Sequence, residues 1–162
     1  MRLNYTQLMH ILLSIILVLA FLTPQKAQSQ NQKTQSYEKS QEFFSIANNL
    51  AKRGDYLNAV ENYHKAIKAN PLLPAPHYNL ANVFVAMGKL DDAVNEYKLA
   101  IKINPMIPDY HRNLGFAYAL MKKGDLAKKK YDQLKKLDST QADLLMEWIK
   151  PRRGQVGSRP PN

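Results

Sequence analysis

The sequence predicts an all-α fold, an α-solenoid of three helical hairpins stacked side by side and closed by a further helix. Three observations predict it: a repeat with a period of 34 residues, helical spacing of the apolar residues inside each copy, and glycines and prolines at the joints. The repeat is seen in columns. Ile46, Leu80 and Leu114 are spaced by 34, as are Ala47, Ala81 and Gly115; Leu50, Phe84 and Tyr118; Ala59, Ala93 and Ala127; and Tyr63, Tyr97 and Tyr131. Gly54 with Gly88, Pro71 with Pro105, Asn79 with Asn113 and His77 with His111 add two-copy matches.

Each copy reads as two amphipathic helices. Leu80, Phe84 and Met87 fall at i, i+4 and i+7, and Ala93, Tyr97, Ala100 and Ile101 share one face of the second half. Gly88 marks the inner turn, and Asn104-Pro105 ends the second helix, because the residue before proline avoids the α region. The small columns let paired helices approach closely, and the large Tyr or Phe columns fill the space beside them. A lone hairpin cannot cover its apolar face, so three stacked copies are about the minimum for a stable array.

In chain order, residues 1–29 form the first element. Arg2 precedes the apolar run ILLSIILVLAFL (Ile11 to Leu22), and Ala27-Gln28-Ser29 supplies small residues two apart, the layout of a secretory signal cleaved after Ser29. The rival reading is a retained anchor over residues 8–23, although those 16 residues fall short of the ~20 needed to span a bilayer. Either way Arg2 keeps the N-terminus cytoplasmic and places the repeats on the non-cytoplasmic side, so the expected location is exported or membrane-anchored. Residues 30–39, overlapping the polar stretch 25–37, read as a flexible Gln/Ser-rich linker.

Residues 40–73, 74–107 and 108–139 are the three repeats, the last divergent: Gly124 comes two residues late, which suggests a reshaped inner turn, and Ser139 replaces the closing proline. Leu134 stands where earlier copies have Ala66 and Ala100, which implies a non-repeat neighbour. That neighbour is a capping helix over 140–150, opened by a capping box at Thr140–Asp143 and carrying Leu144, Leu145, Trp148 and Ile149 at helical spacing before Pro151. Residues 151–162 read as a disordered basic tail.

The columns Leu-Gly/Ala, Tyr/Phe, Gly, Ala, Tyr, Ala and Pro resemble the tetratricopeptide-repeat (TPR) family over residues 40–138, best in NLANVFVAMGKLDDAVNEYKLAIKINP, residues 79–105. The resemblance implies a protein-binding module whose first helices line a concave groove. Its fifth, sixth and ninth positions fall on Phe44, Ser45 and Asn48, on Tyr78, Asn79 and Asn82, and on Arg112, Asn113 and Phe116. Asparagine can hold a peptide backbone whatever its side chains, and Arg112 could fork a carboxylate. The basic clamp with which chaperone-binding members grip an acidic C-terminus is largely absent, since Phe44 and Asp109 occupy clamp positions.

Catalytic chemistry is not legible. With no cysteine among 162 residues, disulfides, thiolate metal sites and a cysteine nucleophile are excluded, and no nucleophile elbow, phosphate loop or dinucleotide fingerprint occurs. His77 and His111 lack a second ligand at helical spacing and read as packing residues at the seam between repeats, with one polar edge wet. Asp91 and Asp92 suit the start of a helix. The expectation is no enzyme, no metal and no cofactor.

Of the net charge of +10, the flanks 1–39 and 151–162 carry +3 each, so the repeats are only mildly basic and nucleic acid is not an expected partner. The lysines at 122, 123, 128, 129, 130, 135 and 136 read first as a solvated convex face and second as a contact for anionic lipid. The expected function is an adaptor that binds another protein or peptide. The alternatives are a self-associating structural protein, motivated by Phe43 and Phe44 at the open end, and a membrane-complex assembly factor, similar in layout to those that help build photosystems.

Overall fold

The computed structural model describes residues 4–150, and every regular element among them is helical. Seven helices follow in order among these residues: α1 (Tyr5–Lys52), α2 (Tyr56–Ala69), α3 (Pro74–Ala86), α4 (Leu90–Ile103), α5 (Pro108–Leu120), α6 (Gly124–Leu134) and α7 (Ser139–Ile149). The pairs α1–α2, α3–α4 and α5–α6 are hairpins; α2 packs on α3 and α4 on α5, and α7 ends the row against α5 and α6. This is the all-α solenoid of the repeat columns.

The columns are the core. Ala47, Ala59, Ala81, Ala93 and Ala127 are fully buried, as are Leu80 and Leu114, with Tyr63 and Tyr97 almost so. Alanine at each helix crossing brings the backbones together, and the tyrosine rings fill the gaps that this leaves. A second, smaller cluster joins Leu134, Ala142 and Leu145, flanked by Phe116, Tyr131 and Ile149. Leu134 therefore meets the capping helix rather than another repeat. Gly115 completes that contact: a Cβ there would lie 2.5 Å from Leu145 Cδ2, so any larger residue would push Leu145 away from α5.

The three inner turns have one backbone geometry. Gly54 and Gly88 have φ of +80° and +75°, and the amides of Asp55 and Lys89 donate to the carbonyls of Leu50 and Phe84 at 3.0 and 2.8 Å. Lys122 takes the equivalent place with φ +58°, and the Lys123 amide donates to the Tyr118 carbonyl at 2.9 Å. The reshaped third turn expected from the late Gly124 is thus not found. Packing of α5 against α6 holds a lysine in the left-handed region, at a cost on the order of 1 kcal/mol, and Gly124 simply starts α6.

Two other expectations are corrected. The flexible linker over 30–39 is helical, part of an α1 that runs unbroken from Tyr5 to Lys52. No glycine or proline interrupts residues 25–53, and Gln, Lys and Ala are good helix formers, so polarity alone did not imply coil. The end of this stretch is also bonded: Ser36 Oγ donates to the Ala69 carbonyl and the buried Ser40 Oγ donates to the Ala66 carbonyl at 2.8 Å. Ser36 thereby supplies a partner to the Ala69 carbonyl at the end of α2, and Ser40 adds a second donor to the Ala66 carbonyl, which already accepts the Asn70 amide. At the other end, α7 is capped not by Thr140 but by Asp138, whose carboxylate accepts from the Gln141 amide at 3.0 Å. Thr140 to Asp143 lie inside the helix, and Lys150 leaves it in an extended conformation, as a residue before proline must. The tail assigned to 151–162 lies outside the described residues.

No helix among the described residues is long and apolar enough to cross a membrane. The apolar end of α1 is nonetheless uncovered: Leu8, Met9, Ile11, Leu12, Leu13, Ile15, Ile16, Leu17 and Val18 are each between 44% and 63% exposed.

Candidate functional site

The first helices α1, α3 and α5 carry the residues expected to line a groove, and the structure links most of them in a repeated hydrogen-bond unit. Asn48 Oδ1 accepts from the Tyr63 hydroxyl at 2.7 Å and from Asn79 Nδ2 at 2.8 Å. One repeat on, Asn82 Oδ1 accepts from the Tyr97 hydroxyl at 2.6 Å and from Asn113 Nδ2 at 3.0 Å. Each unit ties a first helix to its own second helix through tyrosine and to the next first helix through asparagine. Tyr78 extends the second unit, its hydroxyl accepting from Asn113 Nδ2 at 2.9 Å. Burial is the main cause that pushes the Tyr63 phenol up to about 12 and raises those of Tyr97 and Tyr78 above the ordinary tyrosine value. The Tyr63 and Tyr97 hydroxyls thus keep their donor protons well into the alkaline range.

The ladder stops at the third repeat. Phe116 stands where Asn48 and Asn82 stand, and it packs edge-on against Trp148 with ring centroids 5.6 Å apart. The first-helix face thus changes from carboxamide at the first two repeats to aromatic at the third. Phe44 lies at the other end, half-buried, with its ring 6.1 Å from that of Tyr63.

The structure spends more of these groups internally than the sequence suggested. Arg112 is fully engaged: Nη2 pairs with Asp109 at 2.9 Å, Nη1 donates to Gln141 at 3.1 Å and Nε donates to Asn113 Oδ1 at 3.3 Å. It ties α5 to α7 rather than waiting to fork a carboxylate. Asn48 and Asn82, by contrast, are bonded only through their oxygens. The only buried side-chain polar atom without a partner among the described residues is His111 Nδ1. The Nδ2 groups of the half-buried Asn48 and Asn82 are therefore not sealed from solvent. Ser45 is exposed beside them. Sequence reasoning missed the tyrosine hydroxyls as part of this network. The available signal was that the column at 63, 97 and 131 keeps Tyr where Phe would fill the same space.

The two seam histidines differ from expectation and from each other. Neither has a wet edge, since both are 6% exposed. His77 Nδ1 meets Glu96 Oε2 at 2.7 Å, while His111 turns Nε2 to the Pro105 carbonyl at 2.8 Å. The residue 34 positions after Glu96 is Lys130, so His111 has a cation where His77 has a carboxylate. Burial first, with Lys130 adding to it, lowers His111 below the ordinary imidazole value against the opposing pull of the Pro105 carbonyl. Among the described residues no group of three or more His, Cys, Asp or Glu is placed to hold a metal ion.

A family model for the TPR repeat matches residues 47–88 and again residues 81–124. No curated protein sequence matches the chain. Among solved structures, the first TPR of Spaghetti (RPAP3) bound to the HSP90 peptide SRMEEVD is similar with a TM-score of 0.66 at 24% identity, covering 70% of this chain and 91% of that one. The TPR2B domain of yeast Sti1 in its pHsp70 complex gives 0.67 at 19% identity, covering 72% and 99%. The Arabidopsis OM64 TPR domain gives 0.67 at 19%, covering 71% and 97%. These likenesses establish the fold.

Proposed function

Because this chain belongs to the tetratricopeptide-repeat family, we propose that it is a non-catalytic adaptor whose first-helix face binds an extended peptide segment of a partner protein. The observation that carries the reading is the pair of repeat-equivalent carboxamides, Asn48 and Asn82, each anchored through its oxygen with its N–H groups left open. Donors one repeat apart suit the carbonyls of an extended backbone. Phe44 at one end and Phe116 with Trp148 at the other add apolar contacts.

Several structural neighbours hold Hsp90 or Hsp70 peptides ending in an acidic group. Here the one groove arginine is spent on Asp109 and Gln141, and Phe44 has no charge, so the favoured segment is neutral rather than acidic at its end. The adaptor works at a membrane or beyond it, carried there by residues 8–23 as a secretory signal or a retained anchor. The support is the bare apolar end of α1, where Leu8 to Val18 lie open to solvent.

The test separates binding from folding. Asn48→Asp and Asn82→Asp keep the acceptor oxygens for Tyr63, Asn79, Tyr97 and Asn113 while removing the open donors. Titrated against extended peptides selected on an array, the double variant should melt like the parent and bind about tenfold more weakly. Unchanged affinity would reject this face as the binding site. Fractionation of the source cell with N-terminal sequencing tests the membrane reading: a soluble protein retaining Met1 would reject it.

A further inference from the structure

The loops that join one hairpin to the next lie along one edge of the stack, and α1 leaves the repeats at that same edge. Ser36 and Ser40 bond the last turn of α2, so the part of α1 before Ser36 runs out past the end of α2. The ends of α4 and α6 are the repeat equivalents of that end, whereas the inner turns at Gly54, Gly88 and Lys122 lie on the opposite edge.

Three features coincide on the loop edge. Lys68, Lys102 and Lys136 are spaced by 34, exposed, and in no ion pair among the described residues. Leu72 and Met106, also 34 apart, stand 76% and 67% exposed at the tips of the α2–α3 and α4–α5 loops. They are held there by Asn70 and Asn104, whose side chains each accept from the tip amide at 3.2 Å. And α1 leads from here to the bare apolar segment. Lysine in the last turn of a helix is favoured by the helix dipole, which accounts for the charges. It does not account for large apolar side chains fixed outward beside them. The acids on this edge leave the row positive: Asp109 is paired with Arg112, Asp138 caps α7, and exposed Glu38 has Lys39 and Lys33 near it in sequence.

We propose that this edge rests on an anionic lipid bilayer, with Lys68, Lys102 and Lys136 on headgroup phosphates and Leu72 and Met106 dipped between them. The inference rests on the membrane reading of α1 for its orientation, whereas the lysine row and loop tips stand on their own. Distance makes it demanding. From Pro24 to Ser36 an α-helix rises about 18 Å, and the headgroup layer fills only about 5–7 Å of that. An upright α1 would hold the row more than one ~8 Å Debye length clear of the charges, so contact requires α1 to tilt or bend. The sequence offers the place for it: proline has no N–H to give a helical ladder, so Pro24, at the boundary between apolar and polar segments, is where a helix bends most readily.

The chain lacks cysteine, so Leu72→Cys, Met106→Cys and, on the opposite edge, Lys89→Cys can each carry one polarity-sensitive fluorophore on the full chain. Each is mixed with phosphatidylcholine vesicles, and with vesicles that also contain phosphatidylglycerol. The expected result is a blue shift at positions 72 and 106 on anionic vesicles only, none at 89, and loss of about fivefold in anionic partitioning for each of Lys68→Gln, Lys102→Gln and Lys136→Gln. Sedimentation with neutral vesicles reports the α1 tether separately. Sedimentation without a shift at 72 and 106 overturns the edge while leaving the tether. A shift on anionic vesicles alone, without neutral sedimentation, supports the edge and removes the tether. Failure to bind either lipid removes both and leaves the row to an acidic protein.

Discussion

Asn82 is the residue through which the ladder can be measured. Asn82→Ala removes the acceptor for two hydrogen bonds, from Tyr97 at 2.6 Å and from Asn113 at 3.0 Å. The two donors suffer unequally. Tyr97 is 2% exposed, so its hydroxyl is left buried without a partner, at about 1–3 kcal/mol. Asn113 is half-buried and keeps Tyr78, so its loss is about 0.5–1 kcal/mol. The sum is about 1.5–4 kcal/mol, or a fall in Tm of roughly 7–20 °C for an array near 100 residues. Tyr97→Phe removes the donor together with its need, so it should cost only about 0.5–1.5 kcal/mol. The double variant should then be less damaged than the two singles added, by about 1–2 kcal/mol. Thermal and urea unfolding followed by circular dichroism at 222 nm would provide all three values. Equal single costs that simply add would refute the claim that Asn82 exists to satisfy Tyr97.

Gly115→Ala should cost about 1–2 kcal/mol by pushing Leu145 off α5; the single tryptophan, Trp148, reports it through a red-shifted emission, and an unshifted spectrum would show that α7 docks independently of Gly115. Lys122→Gly should raise stability by about 0.5–1 kcal/mol, because glycine takes the left-handed turn without the steric cost that lysine bears; no gain in the urea midpoint would mean that the turn is not strained. Below about pH 6.5 the unfolded chain's histidine takes up a proton that buried His111 refuses, so folding stability should fall as acid is added. Lys130→Glu, copying the Glu96 that His77 enjoys, should shrink that loss between pH 7.5 and 5, and an undiminished loss would place the acid sensitivity elsewhere.

Much of the fold was legible because the repeat is a packing rule written in sizes. Ala47, Ala81 and Gly115, or Ala59, Ala93 and Ala127, had to be small wherever helices cross, and a period of 34 exposes that demand without any knowledge of contacts. What the columns could not carry was directional. The linker read as coil from its polarity, yet Ser36 and Ser40 find acceptors on α2 that lie 33 and 26 residues away. The third turn read as altered because glycine had moved, but tertiary packing imposes the same φ on Lys122. The candidate site was half legible for the same reason. Its residues were placed by the resemblance to the repeat family, carried from copy to copy along the period, whereas the spending of Arg112 on Asp109 and Gln141 depends on where α7 lands.

The ladder also bears on why the groove should recognise backbone rather than side chains. A carboxamide that bound a guest through both of its ends would be free to rotate, and its ordering would oppose binding. In Asn48 and Asn82 the oxygen is already fixed by two donors, one from each neighbouring helix, so the N–H groups are oriented before any guest arrives. The same bonds set the spacing between the two donor sites, because each asparagine is locked to the next repeat through Asn79 or Asn113. On the proposed reading, stability and recognition are thus divided between the two ends of one side chain. The division ends at Phe116, where no asparagine is available and the cap supplies Trp148 instead. A guest lying along this face would meet ordered donors over the first two repeats and an aromatic edge at the third, which gives it a direction as well as a register.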